Sequence, residues 1–143
     1  MLVEIRDAHD QDAEALAPLM SQLMHLVATP DQIRARLRRV ATTGVDRVFV
    51  ASVDGLVVGF AGLTHAWLLP ADAPTARLMS IVVDERCRGQ GIGRRLVEAS
   101  IEQARAWGCD RLELTSRLEN VDAHSFYETM GFTQVSKKFQ MPM

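Results

Sequence analysis

The six residues Arg88-Gly89-Gln90-Gly91-Ile92-Gly93 constrain this chain more than any other stretch. They follow residues 78–83, a nearly all-apolar run that reads as a strand buried on both faces. They open a long amphipathic segment, 91–107. There Ile92, Leu96, Ser100, Ala104 and Trp107 fall on one helical face, and Arg94, Arg95, Glu98, Glu102 and Arg105 on the other, with Gly108 as the stop. Glycines at 89, 91 and 93 weaken helix and strand alike, so the backbone is expected to need unusual dihedrals or a close approach to something. A loop of unpaired N–H groups opening onto a helix N-terminus is a ready anion site, suited to a pyrophosphate. Arg86, Arg88, Arg94 and Arg95 add positive charge around it.

Three phosphate-binding patterns compete for this loop. A nucleotide P-loop ends in Gly-Lys-Ser/Thr, whereas Gly93 is followed by Arg94-Arg95. The dinucleotide pattern G-x-G-x-x-G places Arg94 where its third glycine belongs, and it expects an early βαβ unit rather than a loop past mid-chain. The pattern that fits is R-x-x-G-x-G, carried by Arg88, Gly91 and Gly93. The competing plain reading is a glycine-rich turn without a ligand, which leaves the four arginines unexplained.

The rest of the chain supplies elements around that unit. Leu2, Val3 and Ile5 suggest a first strand of about six residues. Asp10 is placed to cap a helix with Ala13, Leu16, Ala17, Met20, Leu23 and Met24 at helical spacing. Thr29, Pro30 and Asp31 mark the start of a second helix, running to about Ala41 and carrying Arg34, Arg36, Arg38 and Arg39. Residues 47–53 and 56–65 read as a hairpin about the turn Asp54-Gly55, which suits positive φ at both positions. A strand at 76–83 follows the loop bracketed by Pro70 and Pro74. After the long helix come a strand at 111–115, a helix at 120–130 closed by Gly131, and a last extended segment at 132–141. The order is βααβββαβαβ, with no internal repeat or linker, so residues 1–143 read as one domain.

Composition narrows the function classes. With 48% apolar and 24% charged residues the chain has the balance of a soluble globular protein. A net charge of -2 gives no electrostatic case for nucleic acid. The longest apolar stretch, 56–63, is far short of the ~20 residues of a membrane span, and residues 1–10 lack a signal pattern. Cys87 and Cys109 are too few and too far apart for a metal cluster and are expected as reduced thiols, so no metal and a cytoplasmic location are expected.

Residues 79–104, MSIVVDERCRGQGIGRRLVEASIEQA, closely resemble the acetyl-CoA-binding strand, loop and helix of the GNAT superfamily of N-acetyltransferases. Asn120-Val-Asp-Ala123-His-Ser-Phe126-Tyr127 with Gly131-Phe132 resembles that family's second cofactor motif, and the element order agrees across nearly the whole chain. The resemblance implies an α/β fold: a mixed, mostly antiparallel central sheet of six or seven strands, splayed between the fourth and fifth and flanked by four helices. It implies acetyl-CoA as cosubstrate, its pantetheine arm pairing with the main chain of Ile81, Val82 and Val83. Arg88, Gly89, Gln90, Gly91, Ile92, Gly93 and Arg94 would hold the pyrophosphate, and Asn120 would touch the arm. Few residues follow Phe132, which leaves the last hairpin short; a homodimer stays among the options.

Acetyl transfer to an amine needs a neutral amine, a donor for the developing oxyanion and a proton for the leaving sulfur. An amide N–H of the strand at 81–83 serves as the donor. Tyr127 matches the family's proposed acid, and a phenol of pKa ~10 keeps its proton at neutral pH beside a thiol of ~8.5. From spacing alone, Ala123, Phe126, Tyr127 and Met130 are equally a core stripe. For the base, His65, Asp84, Glu113 and a water relay all stay open. His124 reads as a surface or packed residue, and His9 and His25 have no pattern around them. The expected acceptor is a small-molecule amine. A lysine or protein N-terminus, and a non-catalytic acyl-CoA-binding regulatory module, are the alternatives.

Overall fold

The computed structural model describes residues 2–24 and 27–143, in two compact units, Met1–Glu113 and Leu114–Met143. His25 and, for its side chain, Met24 of the first expected helix lie outside the described residues. Strands β1 (Val3–Asp7), β2 (Asp46–Val53), β3 (Leu56–Ala66), β4 (Thr75–Val83) and β5 (Arg111–Leu114) form one sheet in the order β1-β2-β3-β4-β5. The first four pair antiparallel with their neighbours. Asp110 N donates to Pro74 O at 3.3 Å and Arg77 lies 3.5 Å from Glu113, so β5 runs in the same direction as β4, which makes the sheet mixed.

The hairpin follows its turn chemistry. Asp54 and Gly55 adopt φ of 51° and 86° and bring Val53 opposite Leu56. Helix α1 (Ala13–Met24) starts differently from expectation. Residues Asp10–Asp12 form a 3₁₀ turn, and the capping carboxylate is Asp12, which accepts from His9 N at 2.7 Å. Asp12 is buried because Arg6 donates to both its oxygens at 2.9 Å, while Asp10 pairs outward with Arg38. Helix α2 (Pro30–Thr43) has the expected start: Thr29 Oγ1 accepts from Gln32 N and the Gln32 side chain accepts from Thr29 N. It runs two residues beyond Ala41, to the left-handed Gly44.

Val50, Phe60 and Val82 pack on one face of the sheet with Ala13, Leu16 and Leu19 of α1, Ala28, and Ile33 of α2. Each large side chain among them contributes about 1.5–3 kcal/mol by burial. Helix α3 (Ile92–Ala106) covers the opposite face with Ile92, Leu96, Val97, Ser100 and Ala104. Gly59 lets α3 and β4 close on β3: a Cβ there would lie 2.8 Å from Val82 O and 3.4 Å from Leu96 Cδ1. The expectation that residues 78–83 are buried on both faces fails at Met79. A bulge pairs Leu63 with Leu78 and Gly62 with Ser80, leaving Met79 as the extra residue, 61% exposed.

In the second unit, helix α4 (Val121–Thr129) is capped by Asn120, whose Oδ1 accepts from Ala123 N at 3.2 Å. The expected strand at 132–141 does not form, and the described residues hold five strands rather than six or seven. Beyond the last residue of β5 this unit contains a helix and no strand, so the segment has no ladder within the unit to join. Val135, Phe139 and Met141 are accordingly exposed. No helix of the described residues is long and apolar enough to cross a membrane.

Candidate active site

The geometry of the junction between β4 and α3 explains its glycines. Gly89 and Gly91 hold φ of 78° and 80°, a region L residues avoid, and a Cβ at either would meet nothing within 4 Å. Backbone dihedral, not crowding, therefore demands glycine at both. Gly91 occupies the N-cap of α3 in a left-handed conformation, with no side chain to cap the helix. Arg95 N bonds Gly91 O at 3.2 Å as the first helical bond, so the N–H groups of Ile92, Gly93 and Arg94 have no helical acceptor. Among the described residues no other acceptor takes them, nor those of Gly89, Gln90 and Gly91. Ile92, 1% exposed, roots the helix start in the core, while residues 88–91 and Arg94 face solvent. The result is a rigidly seated cluster of amide donors with a helix dipole behind it, a fit for a diphosphate.

The surrounding arginines divide by partner. Arg86 pairs with Asp84 at 2.9 Å and Arg94 stands 3.8 Å from Glu98. Arg95 donates to Val3 O at 3.2 Å, and Arg88 Nε donates to Val83 O at 3.1 Å, so Arg88 folds back over the end of β4. Four arginines in sequence thus give a weaker positive field than their number suggests.

On β4 the three expected main-chain contacts separate. Asp84 N donates to Val58 O at 2.7 Å, and antiparallel bonding alternates from that rung, so Val82 spends its main chain on β3. Ile81 and Val83 turn theirs to the other edge, where Val83 O meets Arg88. The contacts of β5 lie at Pro74 and Arg77, well short of Ile81.

The three base candidates occupy different places. His65 Nδ1 donates to Val45 O at 3.0 Å, and its ring stacks on Trp107 at the end of α3, 4.1 Å between centroids. Asp84 is buried and its carboxylate accepts from Arg86 N, Nε and Nη2; the bonds to the Arg86 side chain, then to its amide, hold the carboxyl down at about 2. Glu113 shares the face of Thr64 and Arg77 and is half-exposed, with the Arg77 guanidinium as its partner.

In the second unit, Asn120 spends its carbonyl oxygen on the α4 cap. Tyr127 is half-buried between Phe126 and Phe132, at centroid distances of 5.4 and 5.9 Å. Burial pushes its phenol above the usual value, and its hydroxyl has no hydrogen-bond partner among the described residues. His124 is held by a bond between Nε2 and Arg117 O at 2.7 Å. No group of three His, Cys, Asp or Glu side chains among the described residues is placed to hold a metal ion, and Cys87 and Cys109 are free thiols.

One contributor had no sequence signal. Gln22 of α1 accepts from Glu85 N at 3.0 Å, just past the end of β4.

Comparisons with known proteins give the family and the fold. The profile of the acetyltransferase (GNAT) family matches residues 14–132. An aminoglycoside N(6')-acetyltransferase type 1 of Stenotrophomonas maltophilia is 32% identical over 97% of this chain and 93% of its own length. A mycothiol acetyltransferase of Beutenbergia cavernae is 39% identical over 52% of this chain; the match spans only 25% of that longer protein. A solved structure described as a transcriptional regulator from Bacillus halodurans C-125 superposes with a TM-score of 0.89 at 26% identity, covering 99% of this chain and 100% of the other.

Proposed function

The chain belongs to the GNAT family of acetyltransferases, and on that premise we propose that it moves an acetyl group from acetyl-CoA to the primary amine of a small molecule by direct attack in a ternary complex. The observation that carries this reading is the bare, left-handed N-terminus of α3, with its unpaired amides placed directly after an outward-facing strand edge. The small-molecule acceptor is supported by the full-length likeness to an aminoglycoside acetyltransferase. Free thiols at Cys87 and Cys109 suit a cytoplasmic setting.

Acetyl-CoA supplies a thioester carbonyl and a thiolate leaving group. The amides of Gly89 to Arg94 would bind the diphosphate, and the outward N–H and C=O of Ile81 with the N–H of Val83 would pair with the arm as an added strand does. That edge lies beyond the end of β5, whose contacts on β4 are at Pro74 and Arg77. An arm lying along that edge would bring the reacting carbonyl within reach of β4 amides. Outward N–H groups of β4 stabilise its developing charge, a contribution of about 2.7–4 kcal/mol per well-placed donor. The amine must arrive neutral. His65 is on the α3 face and Asp84 is too acidic to take its proton, which leaves Glu113 or a water relay. Tyr127 protonates the sulfur; the motif around it and its raised, fully protonated phenol support this role.

The test is calorimetric titration with CoA, followed by thiol release from acetyl-CoA across amino acids, polyamines, aminoglycosides and peptides. Binding with turnover on a narrow set of small amines is expected. Absence of CoA binding refutes the reading, and turnover confined to peptides moves the acceptor class to proteins.

A further inference from the structure

The turn that links the strand edge to the amide cluster is held from outside itself. Only residues 84–88 separate Val83 from Gly89, so any displacement of this turn moves both halves of the proposed cosubstrate site together. Its first residue, Asp84, is 6% exposed, and each of its polar groups has a partner. The amide closes the last rung on Val58 O, which is available because a bulge between β2 and β3 takes Val58 out of the β2 ladder. The carbonyl accepts from Cys87 N at 2.8 Å, and the carboxylate accepts from Arg86 N at 3.0 Å and from the Arg86 guanidinium at 3.2 and 2.9 Å. From α1, Gln22 adds a bond to the turn: its carbonyl oxygen accepts from Glu85 N at 3.0 Å.

We propose that Gln22 and Asp84 are positioning residues for cosubstrate binding, forming a clamp that fixes the 84–88 turn against α1 so that the edge of β4 and the amides of 89–94 meet one ligand at once. The proposal rests on the acetyl-CoA reading and adds to it a role for α1. The helix is secured to the sheet by Ala13, Leu16 and Leu19, so the Gln22 contact is not needed to hold the helix. What it adds is a fixed height for the turn. Arg86 has a second part in the clamp: it offsets a carboxylate that would otherwise stand uncompensated next to an anion site.

The full chain is titrated with CoA by calorimetry, as wild type, Gln22→Ala, Asp84→Ala and Asp84→Asn, with a urea unfolding midpoint for each. Gln22→Ala and Asp84→Ala weaken CoA by about 5- to 30-fold, the effect of one or two lost ordering hydrogen bonds. Asn keeps an oxygen to accept from Arg86 N and restores affinity to within about threefold. In the thiol-release assay KM for acetyl-CoA rises in the two alanine variants while kcat at saturation holds, since no reacting group is touched. Gln22→Ala carries the test on its own if Asp84→Ala does not fold. The clamp is overturned if Gln22→Ala binds CoA as wild type does, if Asp84→Asn is as weak as Asp84→Ala, or if kcat falls as far as KM rises. A wild-type protein that ignores CoA overturns the acetyl-CoA reading and the clamp together; wild-type binding with indifferent variants removes the clamp alone.

Discussion

Replacing Gly91 separates the demands of the fold from the demands of the ligand. At φ of 80° an L residue is strained by roughly 1–2 kcal/mol. A new Cβ there meets nothing within 4 Å, so no steric repacking adds to that strain. Gly91→Ala can express the cost in two ways. If the loop keeps its shape, the unliganded protein loses ~1–2 kcal/mol of stability and binds CoA normally. If the loop relaxes to negative φ, stability is kept and the amides turn away from the ligand, which weakens CoA by about 5- to 30-fold. The two losses sum to the same strain, because the CoA-bound state needs the left-handed conformation in either case. Chemical unfolding of the free protein and calorimetric CoA binding, measured on wild type, Gly91→Ala and Gly91→Asn, give that sum directly. Asn tolerates the left-handed region and should show a smaller sum than Ala. An alanine variant with wild-type stability and wild-type CoA affinity would refute the reasoning, since the strain would then have no place to appear.

Tyr127→Phe should lower kcat by about 100-fold or more while CoA affinity stays within error in calorimetry; unchanged turnover removes the acid role. Because burial raises the phenol's pKa, the acid stays protonated through neutral pH, and any fall in kcat from its ionisation is expected only above pH ~10; a loss near pH 8 would point to another group. Gly59→Ala places a methyl 2.8 Å from Val82 O, where main chain must give way, and should cost about 1–3 kcal/mol in urea unfolding with no special effect on CoA. Asp84, at about 2 when folded against 3.8 when free, stabilises the fold above pH ~4 and loses that contribution as pH falls towards 2; Asp84→Asn should flatten stability across that window, as seen in acid titrations followed by circular dichroism.

Much of the fold was legible because local chemistry and tertiary need coincide. Thr29 with Gln32, Asp54-Gly55 and the face of α3 each state in a few residues what the chain then does. The failures share a cause: they depend on partners outside the local element. Asp12 displaces Asp10 as the cap because Arg6 reaches it from β1, and Met79 leaves the ladder because β3 and β4 fall out of step at Gly62. Nothing near Gln22 announces that its partner is Glu85. The last segment misled for the opposite reason: its apolar residues at 135, 139 and 141 suit an extended chain, but an extended chain becomes a strand only against a ladder. The arginines were overcounted because sequence shows charges without their carboxylate and carbonyl partners.

The glycines that remain legible in the site are unusual for where they stand. Gly44, Gly108 and Gly131 also hold positive φ in open space, but each follows the end of a helix, where a left-handed residue closes the last turn. Gly91 stands at a helix start, where an extended residue with an oxygen side chain is favoured because it satisfies the first amides. The chain builds that arrangement with Thr29 before α2, and keeps the capping oxygen with Asn120 before α4. At α3 it gives up both the extended conformation and the capping oxygen, and spends Ile92 on anchoring the bare end in the core. That start leaves its first amides without a partner in the chain. It suits the diphosphate proposed for it, an acceptor that would take several of those N–H groups at once.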